Sequence, residues 1–228
     1  MDLDATDDPL HSHQSGRFFH GYYKHYCYLP LYIFCGEHLL CARLRPSNID
    51  GAAGSLKELQ RLVKQIRLRW PNVPIVIRGD SGFCREPIMA WCETKHVDYV
   101  FGLAKNPRLT AEIVEELSQA KQQFEETGEA SRVYKDFTYR TLDSWSQSRR
   151  VIGKAEHLRK GSNPRFVVTS LSSEEFEAAL LYEQEYCARG DMENRLSLIE
   201  LLPATNDRVR TSHFHKHAFL TQSPSSHR

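Results

Sequence analysis

The stretch "IVIRGDSGF", residues 75–83, constrains the fold more than any other part of the chain. Ile75, Val76 and Ile77 are branched and apolar, as a buried strand requires, and Gly79-Asp80-Ser81-Gly82 cuts that strand short. Upstream, Leu56, Leu59, Leu62, Val63, Ile66 and Trp70 recur at helical spacing until Pro71-Asn72 ends the pattern. Downstream, "EPIMAWCETKH" reads as a short helix with Pro87 in its first turn, and "VDYVFGLA" as another strand. Strands alternating with helices predict an α/β protein, a sheet covered by helices.

The flanks extend that frame. "MDLDATDDP" reads as the last half of a strand running into acids. "YLPLYIFCG" and "HLLCARLRP" are two apolar runs around a Gly-Glu, the pattern of a β-hairpin. Residues 1–106 are thus expected to form the first part of the core. Residues 107–171 change texture: one charged helix, "LTAEIVEELSQAKQQFEE", then β-like runs in "RVYKDFTYRTL", "RRVIGKAEHL" and "RFVVTSL". They read as a β-rich insertion before the last helix. Ser172 and Glu175 suggest a capping box, with a helix over 172–200. Residues 201–228 are polar, Ser- and His-rich, and expected to be poorly ordered.

Thirty basic residues nearly balance 29 acidic ones, so net charge points to no partner, and only local clustering could mark a nucleic-acid surface. The six cysteines contain no C-x-x-C pair, which fits reduced, cytoplasmic thiols better than disulfides or zinc. No apolar run reaches the roughly 18 residues of a membrane span.

The carboxylates carry the chemistry. Asp80 stands where a strand ends, and ligands of open α/β sheets gather outside the carboxyl ends of strands. Asp and Gly together also make ordinary turns, so its position alone leaves a structural reading open. Tyr186, Arg189 and Glu193 fall on one face of a predicted helix, a pattern equally open to a simple exposed Arg-Glu pair. Asp4 closes the opening half-strand, with Asp2 and Asp7 as rivals.

"DLDATDDPLHSHQSGRFFHGYYKHYCYLPLYIFCG", "ARLRPSNIDGAAG", "RGDSGFCREPIMAWCE", "DYVFGLAKN" and "YEQEYCARGDMENR" together resemble the DDE transposases of one group of bacterial insertion sequences, those with a Tyr-x2-Arg-x3-Glu-x6-Lys third motif. The resemblance covers roughly residues 1–195. It implies a ribonuclease H-like mixed sheet flanked by helices, with the β-rich insertion between the second and third acids. It also implies metal-dependent strand cleavage and joining at double-stranded DNA carrying terminal inverted repeats. The catalytic and metal-holding acids it implies are Asp4, Asp80 and Glu193, with Mg²⁺ or Mn²⁺ as cofactor; hard cations of this kind take oxygen ligands. Tyr186 and Arg189 take positions that contact DNA near the cut. The insertion supplies further candidates among its basic and aromatic residues: Arg149 and Arg150 for phosphate, and Trp145 to stack on a flipped base, with core packing of Trp145 as the alternative. A homodimer, or pairing with a full-length transposase, follows from the need to join two ends.

Two departures set further expectations. Family chains continue upstream of Met1, and the position of the motif's lysine is held by Glu200. The chain is therefore expected to be a truncated, frame-shifted copy. The rival to an active enzyme is a catalytically inactive fragment that binds DNA or poisons dimers of the full-length protein. The alternating His213, His215 and His217, and the pair His11 and His13, are read as carrying no metal function.

Overall fold

The computed structural model describes residues 1–10 and 17–190. They fall into two units, one built on Met1–Asn72 and the other on Val73–Arg189.

The first unit contains two small antiparallel sheets and a helix. Strand β1 (Asp2–Asp4) is followed by β2 (Asp8–Pro9), β3 (Phe18–His20) and β4 (His25–Tyr28), which pair in the order β2-β4-β3. Strands β5 (Leu31–Cys35) and β6 (His38–Arg43) form the expected hairpin, turning at Gly36, whose φ of 56° is the left-handed value glycine tolerates. β1 adds antiparallel to β5, pairing Asp4 with Tyr32. Helix α1 (Ser55–Arg69) buries Leu59, Leu62 and Val63, the apolar stripe read from the sequence. The loop before it is tied down by Arg45, buried, which donates to the carbonyls of Leu29, Gly51 and Ala53.

The second unit is a mixed sheet with helices on both faces. Strand β7 (Val76–Gly79) runs parallel to β8 (Asp98–Leu103), joined by helix α2 (Glu86–Thr94). Helices α3 (Pro107–Glu112) and α4 (Val114–Thr127) follow. The single charged helix expected there is broken at Ile113, which is fully buried against Gly153. Strand β9 (Ser131–Tyr139) pairs antiparallel with β10 (Arg149–Leu158). From β10 the chain returns through β11 (Gly161–Ser162) and β12 (Arg165–Thr169) in one register, and the hydrogen-bond ladder lapses only at Pro164, which has no N–H to give. β12 then pairs with β8. The β-rich stretch is therefore continuous with the sheet of β7 and β8.

The last described helix departs from expectation. Ser172 does accept from the Glu175 N–H at 3.3 Å, but it caps one isolated turn. Glu177 is extended, with φ −61° and ψ 147°, so the helix begins at α5 (Ala178–Leu180) instead. It widens into a π-helical segment, Leu181–Tyr186, then tightens to a 3₁₀ turn, Cys187–Arg189. The Cys187 N–H reaches back five residues to the Tyr182 carbonyl.

Strand alternation decides which side chains this segment meets. Val100 on β8, Ile152 on β10 and Val167 on β12 point to one face, and Leu181 and Tyr182 pack onto them. Burying each such side chain contributes about 1.5–3 kcal/mol. The opposite face carries Phe101, Val151 and Gly153, covered by Ile113 at the α3–α4 junction.

Candidate active site

The same alternation aims the second acid. Arg78 and Val76 share the face of Val100, whereas Gly79 faces Phe83 and Phe101. The next residue, Asp80, accordingly turns toward the helical segment at Ala178–Arg189. Arg78 donates to the Glu185 carbonyl at 2.9 Å, pinning that segment beside the end of β7.

The two glycines around Asp80 do not leave empty space beside it. A Cβ on Gly79 would lie 3.0 Å from the Phe83 Cβ and 3.3 Å from the Phe101 ring. Gly79 is the gap into which Phe83 packs. A Cβ on Gly82 would meet Asp80 Oδ1 at 2.9 Å, because the carboxylate folds back to accept from the Gly82 N–H at 2.7 Å. That bond holds Oδ1 in an Asx turn. Among the described residues Oδ2 takes no hydrogen bond.

Tyr186 completes this corner. Its hydroxyl lies over Gly102 of β8, 2.6 Å from where a Cβ would stand, while Ser81 N and Asp80 C lie 3.0 and 3.3 Å from that point. Burial pushes the Tyr186 hydroxyl up from its ordinary pKa; Arg189 opposes the shift and Asp80 adds to it, so both charges lie within reach of that hydroxyl. Asp80, Ser81, Gly102, Lys105, Arg165, Tyr182 and Tyr186 line a cavity of about 250 Å³. Of the residues read from the sequence, the second unit thus brings together Asp80, Tyr186 and Arg189.

Asp4 ends β1 in the first unit, half-buried, and Ala5 after it lies 3.8 Å from a Cβ placed on Gly51. Asp2 is buried, and Asp7 is 2.6 Å from His25 Nε2. Glu193, Glu200, the pair His11 and His13, and the His213–His217 run lie outside the described residues.

The three insertion candidates need correcting. Arg149 is buried, its guanidinium bonded to Glu86 at 2.6 Å and Glu93 at 2.6 Å, so it is spent inside the protein rather than offered to phosphate. Trp145 is 5% exposed, edge-on to Tyr139 and beneath the Arg149 guanidinium, which realises core packing and not base stacking. Arg150 binds Asp136 and the carbonyls of Leu171 and Phe176, clamping the approach to α5. Conversely, Lys105 and Arg165 line the cavity and were not singled out from the sequence. The only signal for them was the block "GLAKN" and the Pro164 break before β12.

Among the described residues no group of three or more His, Cys, Asp or Glu is assembled to hold a metal ion. Asp80 nevertheless suits a hard cation: a carboxylate at a strand end, beside a cavity, with one oxygen fixed and the other open.

These features define a class: a mixed α/β sheet with a carboxylate at a strand end and a tyrosine-bearing helical segment beside it. The family model described as transposase DDE domain group 1 matches residues 1–216 of the 228, and the chain belongs to that family. Among solved structures it is similar to a piggyBac transposase synaptic complex with hairpin DNA, determined by cryo-electron microscopy, at 11% identity and a TM-score of 0.44. The match covers 86% of this chain and 40% of that one, so the chain spans less than half the length of that relative. No curated protein matches. No helix among the described residues is long and apolar enough to cross a membrane.

Proposed function

We propose that this chain is the catalytic part of an insertion-sequence transposase that cleaves and joins DNA strands by phosphoryl transfer, with Asp4, Asp80 and Glu193 as its acids. The observation that carries the reading is the meeting of Tyr186, Arg189 and Asp80 at the ends of β7 and β8 in a chain of this family. Bound Mg²⁺ or Mn²⁺ would activate the attacking oxygen and stabilise the leaving one. Asp80 Oδ2 is the oxygen available for it, and the Gly82 N–H keeps the carboxylate from rotating away. Tyr186, a phenol already protonated at neutral pH and pushed further from ionisation by burial, offers a hydroxyl donor to a phosphate oxygen. Arg189 supplies positive charge beside it. Double-stranded DNA with terminal inverted repeats is the proposed substrate, and a homodimer the proposed assembly, since two ends must be joined.

The test is strand cleavage by the purified chain, with Mg²⁺ or Mn²⁺, of a duplex carrying the inverted repeats that flank its gene. Cleavage by the parent and its loss in Asp80→Asn, with DNA binding retained, is the expected outcome. Undiminished cleavage by Asp80→Asn refutes the assignment, and binding without any cleavage by the parent supports the inactive regulator instead.

A further inference from the structure

The cavity beside Asp80 holds two cations that the site's acids and third motif do not use. Arg165 opens β12 and Lys105 lies just beyond the end of β8, and these strands pair antiparallel with Phe166 opposite Leu103. The two side chains therefore issue from adjacent strand ends at one edge of the sheet. Both are exposed, and neither makes a hydrogen bond or ion pair among the described residues. Elsewhere in this unit Arg132, Lys135, Arg149, Arg150 and Lys154 are paired with carboxylates. Among the described residues Asp80 is the only acid in the cavity lining, where the half-buried Tyr186 presents its ring and the buried Tyr182 backs it from the core, 5.4 Å away. Two unneutralised cations and an aromatic wall, facing a carboxylate suited to a cation, make a site for a polyanion with flat groups attached. Positive grooves with aromatic walls are how single-stranded nucleic acids are held.

We infer that Lys105 and Arg165 form a clamp for two backbone phosphates of the unpaired DNA strand that lies next to Asp80. The inference rests on the transposase reading and adds to it a substrate form, a frayed or single-stranded end rather than intact duplex. The clamp sets which phosphates lie in the cavity, and the Asx-held carboxylate of Asp80 faces the strand so placed.

The probe is a fluorescein-labelled 20-nucleotide single strand, bound to the full chain in EDTA and followed by anisotropy from 50 to 400 mM NaCl. Each phosphate neutralised on a single strand steepens the plot of log K against log salt by about 0.7, so the Lys105→Gln/Arg165→Gln pair should flatten it by about 1.4. At 0.1 M salt, relative to a 1 M reference, this is about a 25-fold loss of affinity. Lys105→Arg with Arg165→Lys should keep the parental slope. Lys121→Gln, which removes an exposed cation paired with Glu125 on α4, should leave it unchanged. The exposed positions predict unaltered melting temperatures, which separates a missing clamp from a damaged fold. A double variant with the parental slope overturns the clamp, as does a Lys121→Gln variant whose slope flattens as much. If Asp80→Asn abolishes cleavage while the double variant keeps the parental slope, only the clamp fails. If Asp80→Asn still cleaves, the transposase assignment fails on its own. Absence of any affinity for the 20-mer in the parent overturns the clamp and leaves the transposase assignment to the duplex cleavage test.

Discussion

Gly102 offers a sharp test of how the site is packed. An alanine there would place Cβ 2.6 Å from the Tyr186 hydroxyl, about 0.8 Å inside the 3.4 Å at which ordinary contact begins. It would also lie 3.0 Å from Ser81 N and 3.3 Å from Asp80 C, both backbone atoms that cannot swing aside. Tyr186 must therefore move, and its ring is already held against Tyr182. Overpacking of this kind costs about 1–3 kcal/mol. Urea unfolding of Gly102→Ala should show that loss, and Tyr186→Phe, which removes the hydroxyl, should recover part of it. The double variant should thus be more stable than the sum of the single changes predicts, a coupling of about 1 kcal/mol. If the site works as proposed, displacing its groups by about 1 Å should slow cleavage by about 100-fold. A Gly102→Ala protein as stable as the parent would refute the packing argument. So would a loss of stability that is the same with tyrosine or phenylalanine at 186.

Two further expectations come from the rest of the second unit. Replacing Arg149 with methionine strands Glu86 and Glu93, whose side chains are 23% and 24% exposed, and should cost about 3 kcal/mol, the low end for a broken buried pair. Burial opposes ionisation at both glutamates, but the Arg149 hydrogen bonds prevail and hold both carboxyls below their ordinary range. Their contribution is therefore present above about pH 4.3, the unfolded value, and is lost as pH falls through the depressed folded values. Urea unfolding between pH 3 and 7 should show that acid loss in the parent and a flatter profile in Arg149→Met. Thiol labelling at pH 8 should modify Cys35 readily and Cys187, raised by partial burial, more slowly. Cys84 and Cys92, each pushed up to about 12 by burial, should react only on unfolding, as should Cys27 and Cys41.

Much of this architecture was legible because it follows from local patterning. The hairpin at Gly36, helix α1 and the β7-α2-β8 unit each announce themselves by periodicity and a terminator. Asp80 and Tyr186 were singled out by the family resemblance rather than by spacing, and the reason for the flanking glycines was not legible. Open space around a carboxylate and close packing against it look identical in sequence; only the position of Phe83 and the Asx bond distinguish them. The insertion residues failed for a related reason. A basic residue beside aromatics reads as a nucleic-acid contact whether or not acids more than 50 residues away reach it, as Glu86 and Glu93 reach Arg149. The start of the last helix was missed because Ser172 and Glu175 do make a cap, but of a turn that Glu177 then interrupts.

The π-helical segment at Leu181–Tyr186 has a consequence for how relatives of this chain should be aligned. A bond that spans five residues encloses one residue more than an α-helical bond, so the segment behaves as a helix carrying a single-residue insertion. Spacings counted across it, such as from the buried Leu181 to Arg189, should differ by one residue in homologues whose helix lacks the widened turn. A search pattern that tolerates one gap before Tyr186 and none after it should find kin that a rigid pattern discards.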